Sequence, residues 1–216
     1  MNVLVVGATG GSGRAVIAAL LNRGHNVTAM VRRPASSPPF PEGVRVVQGD
    51  AMRATDVEQC VRGQDAVVVT LGIREPALRV RLRGSADTPL HVRSQGTRHV
   101  IAMMRRHGVQ KLVVLTSFGV GPTRAHLPLK WRLIFALLLR PQIADTEIQQ
   151  AETVSSGLRW VVAQPVALTD VQPAPEPFAS VDGEVRGMAI SRHSVAKFLA
   201  DAVEGDAFDH RIVALS

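Results

Sequence analysis

Short runs of mainly apolar residues recur along the chain, and segments of mixed character separate them. Such nearly uninterrupted runs are typical of parallel strands that are covered on both faces. They predict strands at 3–6, 26–31, 44–48, 65–72 and 158–163, and a further strand together with its exit at 111–119. The intervening segments predict helices over 15–21, 55–61, 88–107, 145–156 and 194–203. This alternation predicts an α/β fold with a doubly wound, mainly parallel sheet and helices on both faces.

Several local signals predict where these elements begin and end. Thr55 is predicted to cap the second helix, and Thr88-Pro89 is predicted to supply the cap and first-turn proline of the third. Gly108 follows Arg105-Arg106-His107 and is predicted to end that helix. A short strand is predicted at 188–190 and a last, edge strand at 211–215.

The first strand runs into a glycine-rich turn, Gly7-Ala8-Thr9-Gly10-Gly11-Ser12-Gly13. In a strand, turn and helix of this kind, Gly7 permits the tight turn, Gly10 lets the backbone approach a pyrophosphate, and Gly13 allows the helix to pack on the strand. The free N–H groups at the helix start then face an anion. An ordinary glycine-rich turn is the alternative, but the position between strand and helix indicates dinucleotide binding.

The second strand ends at Arg32-Arg33-Pro34, and no acidic residue lies between Arg14 and Pro41. An NAD site places an acid at this point to hold the ribose 2′-hydroxyl, whereas arginine accommodates a 2′-phosphate. Paired charge-assisted hydrogen bonds from guanidinium groups suit a phosphate. The sequence therefore predicts NADP in preference to NAD, unless both arginines are ordinary surface residues.

Three further strand ends carry candidate residues. Asp50 follows the third strand and is predicted either to turn the chain or to accept a hydrogen bond from adenine. Gly72 is the last residue of the predicted fourth strand, where it lets the chain approach the cofactor. Ser117 follows the fifth strand and either contacts the nicotinamide or acceptor or satisfies backbone groups.

Length and composition predict one domain over 1–216, with a substrate cleft formed by loops 73–88, 118–143 and 164–187. The N-terminus is predicted to be a strand without a charged leader, and no apolar run is long enough to span a membrane, so a cytoplasmic location is expected. The apolar stretch 129–140 is predicted to cover the cleft or to contact a second subunit or partner, and a helix on a membrane surface is the alternative.

Charge and side-chain chemistry narrow the function classes. The formal net charge is +7 with 22 arginines and three lysines, but aromatic residues make up 4%, so a stacking surface for nucleic acid is not expected. The seven histidines and the single cysteine, Cys60, form no metal-ligand pattern, and no metal is predicted. Cys60 is predicted to be a buried helical thiol.

Six motifs resemble those of atypical short-chain dehydrogenases/reductases, and the branch they resemble most is the flavin reductase/biliverdin reductase B-like proteins with an NAD(P)H-binding domain. The motifs are 7–13, 31–33, 49–51, 71–72, 113–117 and 156–160. The resemblance implies a Rossmann-like fold with the pyrophosphate at Gly10, Ser12 and Gly13, the 2′-phosphate at Arg32 and Arg33, adenine at Asp50 and Ala51, and Ser117 beside the nicotinamide. The full set of implied cofactor residues is Gly7, Thr9, Gly10, Gly11, Ser12, Gly13, Arg32, Arg33, Asp50, Ala51, Leu71, Gly72, Thr116, Ser117 and Pro165.

The chain departs from that family in its proton donor. Most short-chain dehydrogenases use a Tyr-x-x-x-Lys pair, and this chain contains no tyrosine. Gln164-Pro165-Val166 also lacks the histidine of the biliverdin reductase B branch. The sequence therefore predicts hydride transfer from NADPH to a small-molecule acceptor such as a flavin or quinone, with Ser117 as the candidate catalytic residue. A regulator that binds the dinucleotide without turnover is the alternative.

Overall fold

A computed structural model of the chain describes residues 1–73, 84, 88–127, 140–172 and 174–216. Its strands are β1 Asn2–Val6, β2 Asn26–Val31, β3 Arg45–Gln48, β4 Ala66–Val69, β5 Lys111–Leu115, β6 Arg159–Pro165, β7 Ala167–Thr169, β8 Ala179–Ser180, β9 Ala189–Ser191 and β10 Arg211–Leu215. Its α-helices are α1 Gly11–Asn22, α2 Ala54–Val61, α3 Val92–His107, α4 Arg140–Val154 and α5 Arg192–Glu204. Short 3-10 helices cover Pro34–Ser36 and Gly121–His126.

Within the described residues the main sheet has the strand order β3-β2-β1-β4-β5-β6-β10-β8, and β7 pairs with β9 in a second, two-stranded sheet. Neighbouring strands of the main sheet are parallel, except that β8 runs antiparallel to β10. The chain moves outward from β1 to β3 and then returns to the other side of β1 with β4. This reversal opens a crevice at the carboxyl ends of the strands, where sheets of this kind bind ligands.

The helices cover both faces of the sheet because the side chains of each strand alternate between them. Val3 and Val5 of β1 belong to a core shared with α1 and α5. Leu4 and Val6 belong to a second core, shared with α2 and α3. Both faces of β1 are therefore dry from Val3 to Val6, which explains why this part of the strand is apolar throughout.

The predicted fold class is confirmed, and three local predictions are wrong. Helix α2 begins at Ala54 after the N-cap residue Arg53, so Thr55 lies inside the helix. Helix α3 begins at Val92, later than the Thr88-Pro89 signal placed it. Strand β10 is not at the edge of the sheet, because the short strand β8 pairs with its outer side.

The start of α3 has a tertiary cause. The carboxylate of Asp145, from helix α4, accepts hydrogen bonds from the backbone N of Arg93 at 3.0 Å and of Ser94 at 3.3 Å. Ser94 Oγ also donates to Asp145 Oδ1. A residue distant in sequence thus satisfies N–H groups in the first turn of the helix. The residues around Thr88 give no indication of this contact, so the helix start could not be predicted from them.

No helix in the described part of the chain is both long and apolar enough to cross a membrane. Most of the predicted contact segment 129–140 and most of loop 73–88 lie outside the described residues.

A buried ion pair lies at the amino ends of the strands, at the opposite end of the strands from the crevice. Lys111, the first residue of β5, is 1% exposed. Its Nζ donates to Gly205 O at 2.6 Å and to Asp209 Oδ1. The pair ties the turn between α5 and β10 to the centre of the sheet.

Removal of one partner should expose the cost of burying the other charge. We expect Asp209→Ala to lower the free energy of unfolding by about 3 kcal/mol, because Lys111 is left charged and without its carboxylate. Asp206→Ala, an exposed acid of the same turn, should change it by less than about 0.5 kcal/mol.

Urea denaturation of both variants and of Lys111→Met/Asp209→Ala measures these differences. The double variant should be more stable than Asp209→Ala alone, because no unpaired buried charge remains. Equal stability of Asp209→Ala and Asp206→Ala would contradict the structural role of the pair.

Candidate functional site

The sheet brings the sequence-predicted site residues together at the carboxyl ends of its strands. Gly7 follows β1, Arg32 follows β2 and Asp50 follows β3. Leu71 and Gly72 follow β4, and Thr116 and Ser117 follow β5, while Pro165 ends β6. Strand register aligns these ends, since Val6 pairs with both Met30 and Val69, and Val69 pairs with Val114. The candidate site therefore crosses six neighbouring strands at their carboxyl ends.

Gly7 and Gly13 are required by the packing of the loop itself. Gly7 has a φ of +92°, and a Cβ on it would lie 2.6 Å from Thr70 O. A Cβ on Gly13 would lie 2.3 Å from Gly7 O. Both distances are far below van der Waals contact, so any side chain at either position would force helix α1 and the two central strands apart.

Gly10 has no such packing role. Its φ of −74° and ψ of 162° suit any residue, and a Cβ there would meet only Gly7 O, at 3.5 Å. A side chain at this position would project in front of the loop without a clash. The fold does not need glycine here, whereas a ligand that contacts the backbone does, which fits the pyrophosphate of a dinucleotide.

The first turn of α1 is prepared for an anion. The helix begins after Gly10 with no side-chain cap and no acidic residue in its first turn. Its first N–H groups, at Gly11, Ser12 and Gly13, have no partner within the helix, and the helix dipole adds positive potential there. These groups suit a phosphate, and the residues present therefore fit the dinucleotide that the loop predicts.

Arg32 and Arg33 are exposed at the end of β2, and neither forms an ion pair with an acid among the described residues. Arg14, in the first turn of α1, fixes the loop that follows them. Its guanidinium donates to Pro39 O at 3.0 Å and Pro38 O at 2.6 Å, and it stacks over the Phe40 ring at 4.5 Å. The guanidinium groups of Arg32 and Arg33 therefore remain available beside the glycine-rich loop 7–13, which is called the phosphate loop below for its predicted ligand.

Asp50 stabilises the turn after β3 through one oxygen of its carboxylate, and the other oxygen takes no part in that turn. Its Oδ1 accepts from Met52 N at 3.0 Å, and its own N donates to Asp56 Oδ2 at 3.0 Å. The carbonyl of Ala51 accepts from Nδ1 of His99 at 2.8 Å, which means that this ring nitrogen carries the proton. His99, on α3, was not marked by the sequence, because a contact between α3 and the β3 exit appears only in the fold.

A buried polar network supports the loop that carries Ser117. Gln164 of β6 is 0% exposed, and its Nε2 donates to Val120 O at 2.9 Å and Gln150 Oε1 at 2.6 Å. Thr123 Oγ1 donates to Gln164 Oε1 at 2.6 Å and accepts from Gly119 N at 2.9 Å. The network fixes the exit of β5 to β6 and α4.

Ser117 itself is half-buried, and its Oγ donates to Phe118 O at 3.2 Å. Phe118 N in turn donates to Pro165 O at 2.9 Å. This bond holds Ser117 and Pro165, two of the predicted cofactor residues, close to each other. The local backbone bond is one of the two roles expected for Ser117, and its role towards a ligand stays a prediction.

A basic residue that the sequence did not single out lies over the phosphate loop. Arg192, the first residue of α5, packs so closely that a Cβ on Gly11 would lie 3.1 Å from its Cδ and Nε. Its Nη1 forms an ion pair of 2.7 Å with the exposed Asp170. In the sequence, the one indication of this contact is that glycine occupies position 11, where no turn requires it.

A separate cavity of about 550 Å³ lies towards the β10–β8 edge. It is lined by His126, Phe178, Gly183, Glu184, Val185 and Arg186. These residues come from two of the three segments predicted to form the substrate cleft, and that cleft stays a prediction.

Cys60 is unsuited to nucleophilic chemistry. Its side chain lies in α2, is 2% exposed and packs in the second core. Burial raises the pKa of the thiol to about 11, with a smaller contribution from the Asp56 carboxylate. It stays protonated at neutral pH, as the buried helical thiol predicted from the sequence would.

Comparison with known proteins yields a family match and structural matches over the whole chain. A family model described as NAD(P)H-binding matches residues 7–206. The 3-diazoavenalumate denitrifying reductase of a Streptomyces species is 33% identical over 134 residues, which cover 56% of this chain and 40% of that protein. The chain therefore spans less than half the length of this curated relative.

Two solved structures share the fold. ChuY, described as an anaerobillin reductase from Escherichia coli O157:H7, gives a TM-score of 0.78 at 20% identity, over 100% of this chain and 96% of that one. A wide-type short-chain dehydrogenase/reductase from Veillonella parvula, solved in complex with NADP, gives 0.79 at 16% identity, over 100% and 94% of the two chains.

The different roles of Gly10 and Gly13 give a matched pair of variants. We expect Gly10→Ala to keep or slightly raise the free energy of unfolding, because its backbone suits alanine, and to weaken NADPH binding about tenfold, or about 1.4 kcal/mol. Gly13→Ala should lower the free energy of unfolding by about 1–3 kcal/mol, because the added Cβ overlaps Gly7 O.

Urea denaturation and fluorescence titration with NADPH measure the two effects separately. Gly187→Ala is the control, since a Cβ there meets nothing within 4 Å. Unchanged NADPH affinity in a stably folded Gly10→Ala protein would show that the ligand does not approach this backbone.

Proposed function

This chain belongs to the NAD(P)H-binding family, and from that premise we propose that it is an NADPH-dependent reductase. It transfers a hydride to a flavin, a quinone or a similar acceptor without a tyrosine acid. The observation that carries the proposal is the loop at Gly10, which leaves its backbone open to a ligand, on the same sheet edge as the two available arginines and Ser117.

Cofactor selection is assigned to the β2 end. Arg32 and Arg33 are exposed beside the phosphate loop, and the NAD-type acid is absent between Arg14 and Pro41. Charge-assisted hydrogen bonds from guanidinium groups stabilise a 2′-phosphate, whereas a bare ribose hydroxyl gains little from them. Arg192, which is paired with Asp170, brings guanidinium donors close to Gly11, where the pyrophosphate is expected.

The chemistry assigned to the site is limited by the missing tyrosine. Bound NADPH supplies the hydride, and the protein binds, orients and excludes water. We assign to Ser117 Oγ a hydrogen bond to the nicotinamide amide or the acceptor, and the Gln164 network supports the loop that carries it. Both the Streptomyces relative and ChuY are described as reductases, which supports this reaction class.

Turnover is the direct test of the proposed reaction. We expect the purified protein to oxidise NADPH steadily when FMN, riboflavin or a naphthoquinone is added, with loss of the NADPH absorbance as the readout. Gly10→Val should abolish the reaction, and Ser117→Ala should lower kcat with little change in the dissociation constant of NADPH.

Binding of NADPH without turnover across this panel would contradict the reductase proposal. It would favour the alternative function, a regulator that binds the dinucleotide and signals through a partner. A stable fold of each variant, checked by its melting temperature, is required for the comparison.

Cofactor preference is tested with the arginine variants. We expect Arg32→Ala and Arg33→Ala each to weaken NADPH binding about 10- to 100-fold, because a charged hydrogen bond contributes about 1.5–3 kcal/mol, and to leave NADH binding nearly unchanged. Arg62→Ala is the control, since Arg62 follows the end of α2 and its guanidinium pairs with Glu58 at 2.8 Å. Tighter binding of NADH than NADPH by the unaltered protein would overturn the assignment.

A further inference from the structure

Arg93 is a basic residue of the crevice to which neither the motifs nor the proposed cofactor contacts assign a role. It is the second residue of α3, whose N-terminus lies at the carboxyl edge of the sheet. A Cβ on Gly72 would lie 3.6 Å from Arg93 Nη2. The guanidinium therefore lies directly beside the exit of β4.

The packing of α3 holds this side chain close to the candidate site. Gly96, one turn along the helix, is so near the β4 exit that a Cβ there would lie 2.6 Å from Leu71 Cδ1 and 3.2 Å from Ala51 Cβ. The start of α3 thus touches two predicted cofactor residues and carries Arg93 with it.

The guanidinium is short of partners. Its Nη1 is fully covered and has no hydrogen-bond partner in the part of the chain that the structure describes. Asp145 is the nearby acid, but its carboxylate accepts from the backbone N of Arg93 and Ser94 and from Ser94 Oγ. The acid satisfies the helix terminus and forms no ion pair with the Arg93 side chain within the described residues.

Such a group is costly in the free protein. Burial lowers the pKa of Arg93, and the charge of Asp145 opposes that shift only in part. Arginine nevertheless stays protonated at neutral pH. A desolvated cation with an unused donor is stabilised by an oxyanion, since a planar guanidinium matches a carboxylate or phosphate.

The proposed cofactor contacts already assign the phosphates of the dinucleotide to other residues. The pyrophosphate is assigned to the start of α1, and the 2′-phosphate to Arg32 and Arg33 after β2. Arg93 instead lies beside Gly72 at the exit of β4, and its backbone N contacts Asp145 of α4, the helix that precedes β6. The anion that suits Arg93 therefore comes from the second ligand.

We propose that Arg93 is a specificity-determining residue that binds an anionic group, a carboxylate or a phosphate, of the acceptor. The proposal rests on the proposed reductase function for its choice of acceptor. It predicts that acceptors which carry such a group are preferred over otherwise identical neutral ones.

FMN and riboflavin are suitable probes because they differ only by a phosphate. We expect the unaltered protein, saturated with NADP⁺, to bind FMN about 10- to 100-fold more tightly than riboflavin, the range expected for a hydrogen bond to a charged group. Inorganic phosphate should compete with FMN and not with riboflavin. Flavin fluorescence titration measures both, whether or not the flavin is reduced.

Arg93→Met keeps much of the side-chain length and removes the charge. It should weaken FMN binding to the level of riboflavin, leave riboflavin within about twofold, and leave NADPH binding unchanged. Arg93→Lys should retain part of the FMN preference because it keeps the charge. Arg98→Met, an exposed residue of the same helix whose Nη2 pairs with Glu152 at 2.6 Å, is the matched control and should change neither.

The outcomes separate this proposal from the proposed function. Equal binding of FMN and riboflavin by the unaltered protein overturns it, even if both are reduced. Weaker NADPH binding in Arg93→Met, with FMN unaffected, overturns it in favour of a cofactor contact. A phosphate-dependent preference that Arg93→Met abolishes supports it even when no flavin is turned over.

Discussion

The close approach of α1 to β1 is the constraint on which the site depends. Gly13 lies against the carbonyl of Gly7, and Gly7 lies against the carbonyl of Thr70, so helix and central strands meet with no room for a Cβ at either glycine. This contact fixes where the helix N-terminus points. The same short loop then leaves Gly10 open, so that one turn both joins the elements and presents free N–H groups at the edge of the sheet.

The charge at the carboxyl ends of the strands depends on the contacts that nearby acidic residues make. Asp50 turns the chain after β3, and Asp145 satisfies the first N–H groups of α3. Asp170 is the exception, since it pairs with Arg192 beside the phosphate loop. Arg32, Arg33 and Arg93 form no ion pair with an acid among the described residues, so their guanidinium groups are available to a ligand. A dinucleotide phosphate and an anionic second ligand are the partners that such a surface suits.

The NAD(P)H-binding family is confirmed by the match over 7–206, and the doubly wound sheet is confirmed by the fold. Apolar strand runs, the glycine turn and their order were sufficient for both, because each signal is local and recurs along the chain. Local signals failed where a distant residue acts in their place. Asp145 rather than Thr88 satisfies the start of α3, and the two-residue strand β8 is too short to leave a pattern, so β10 was wrongly expected at the edge.

The sequence by itself determined the fold class and the positions of the glycine-rich loop 7–13 and of the arginine pair after β2, since these depend on residue order along single elements. Only the tertiary structure separated the glycines that packing requires from Gly10, which it does not. Only the tertiary structure also brought Arg192 over Gly11 and Arg93 beside Gly72. Those contacts join α5 to α1 and α3 to the β4 exit, and their physical cause is close packing between elements, which leaves no periodic trace in the chain.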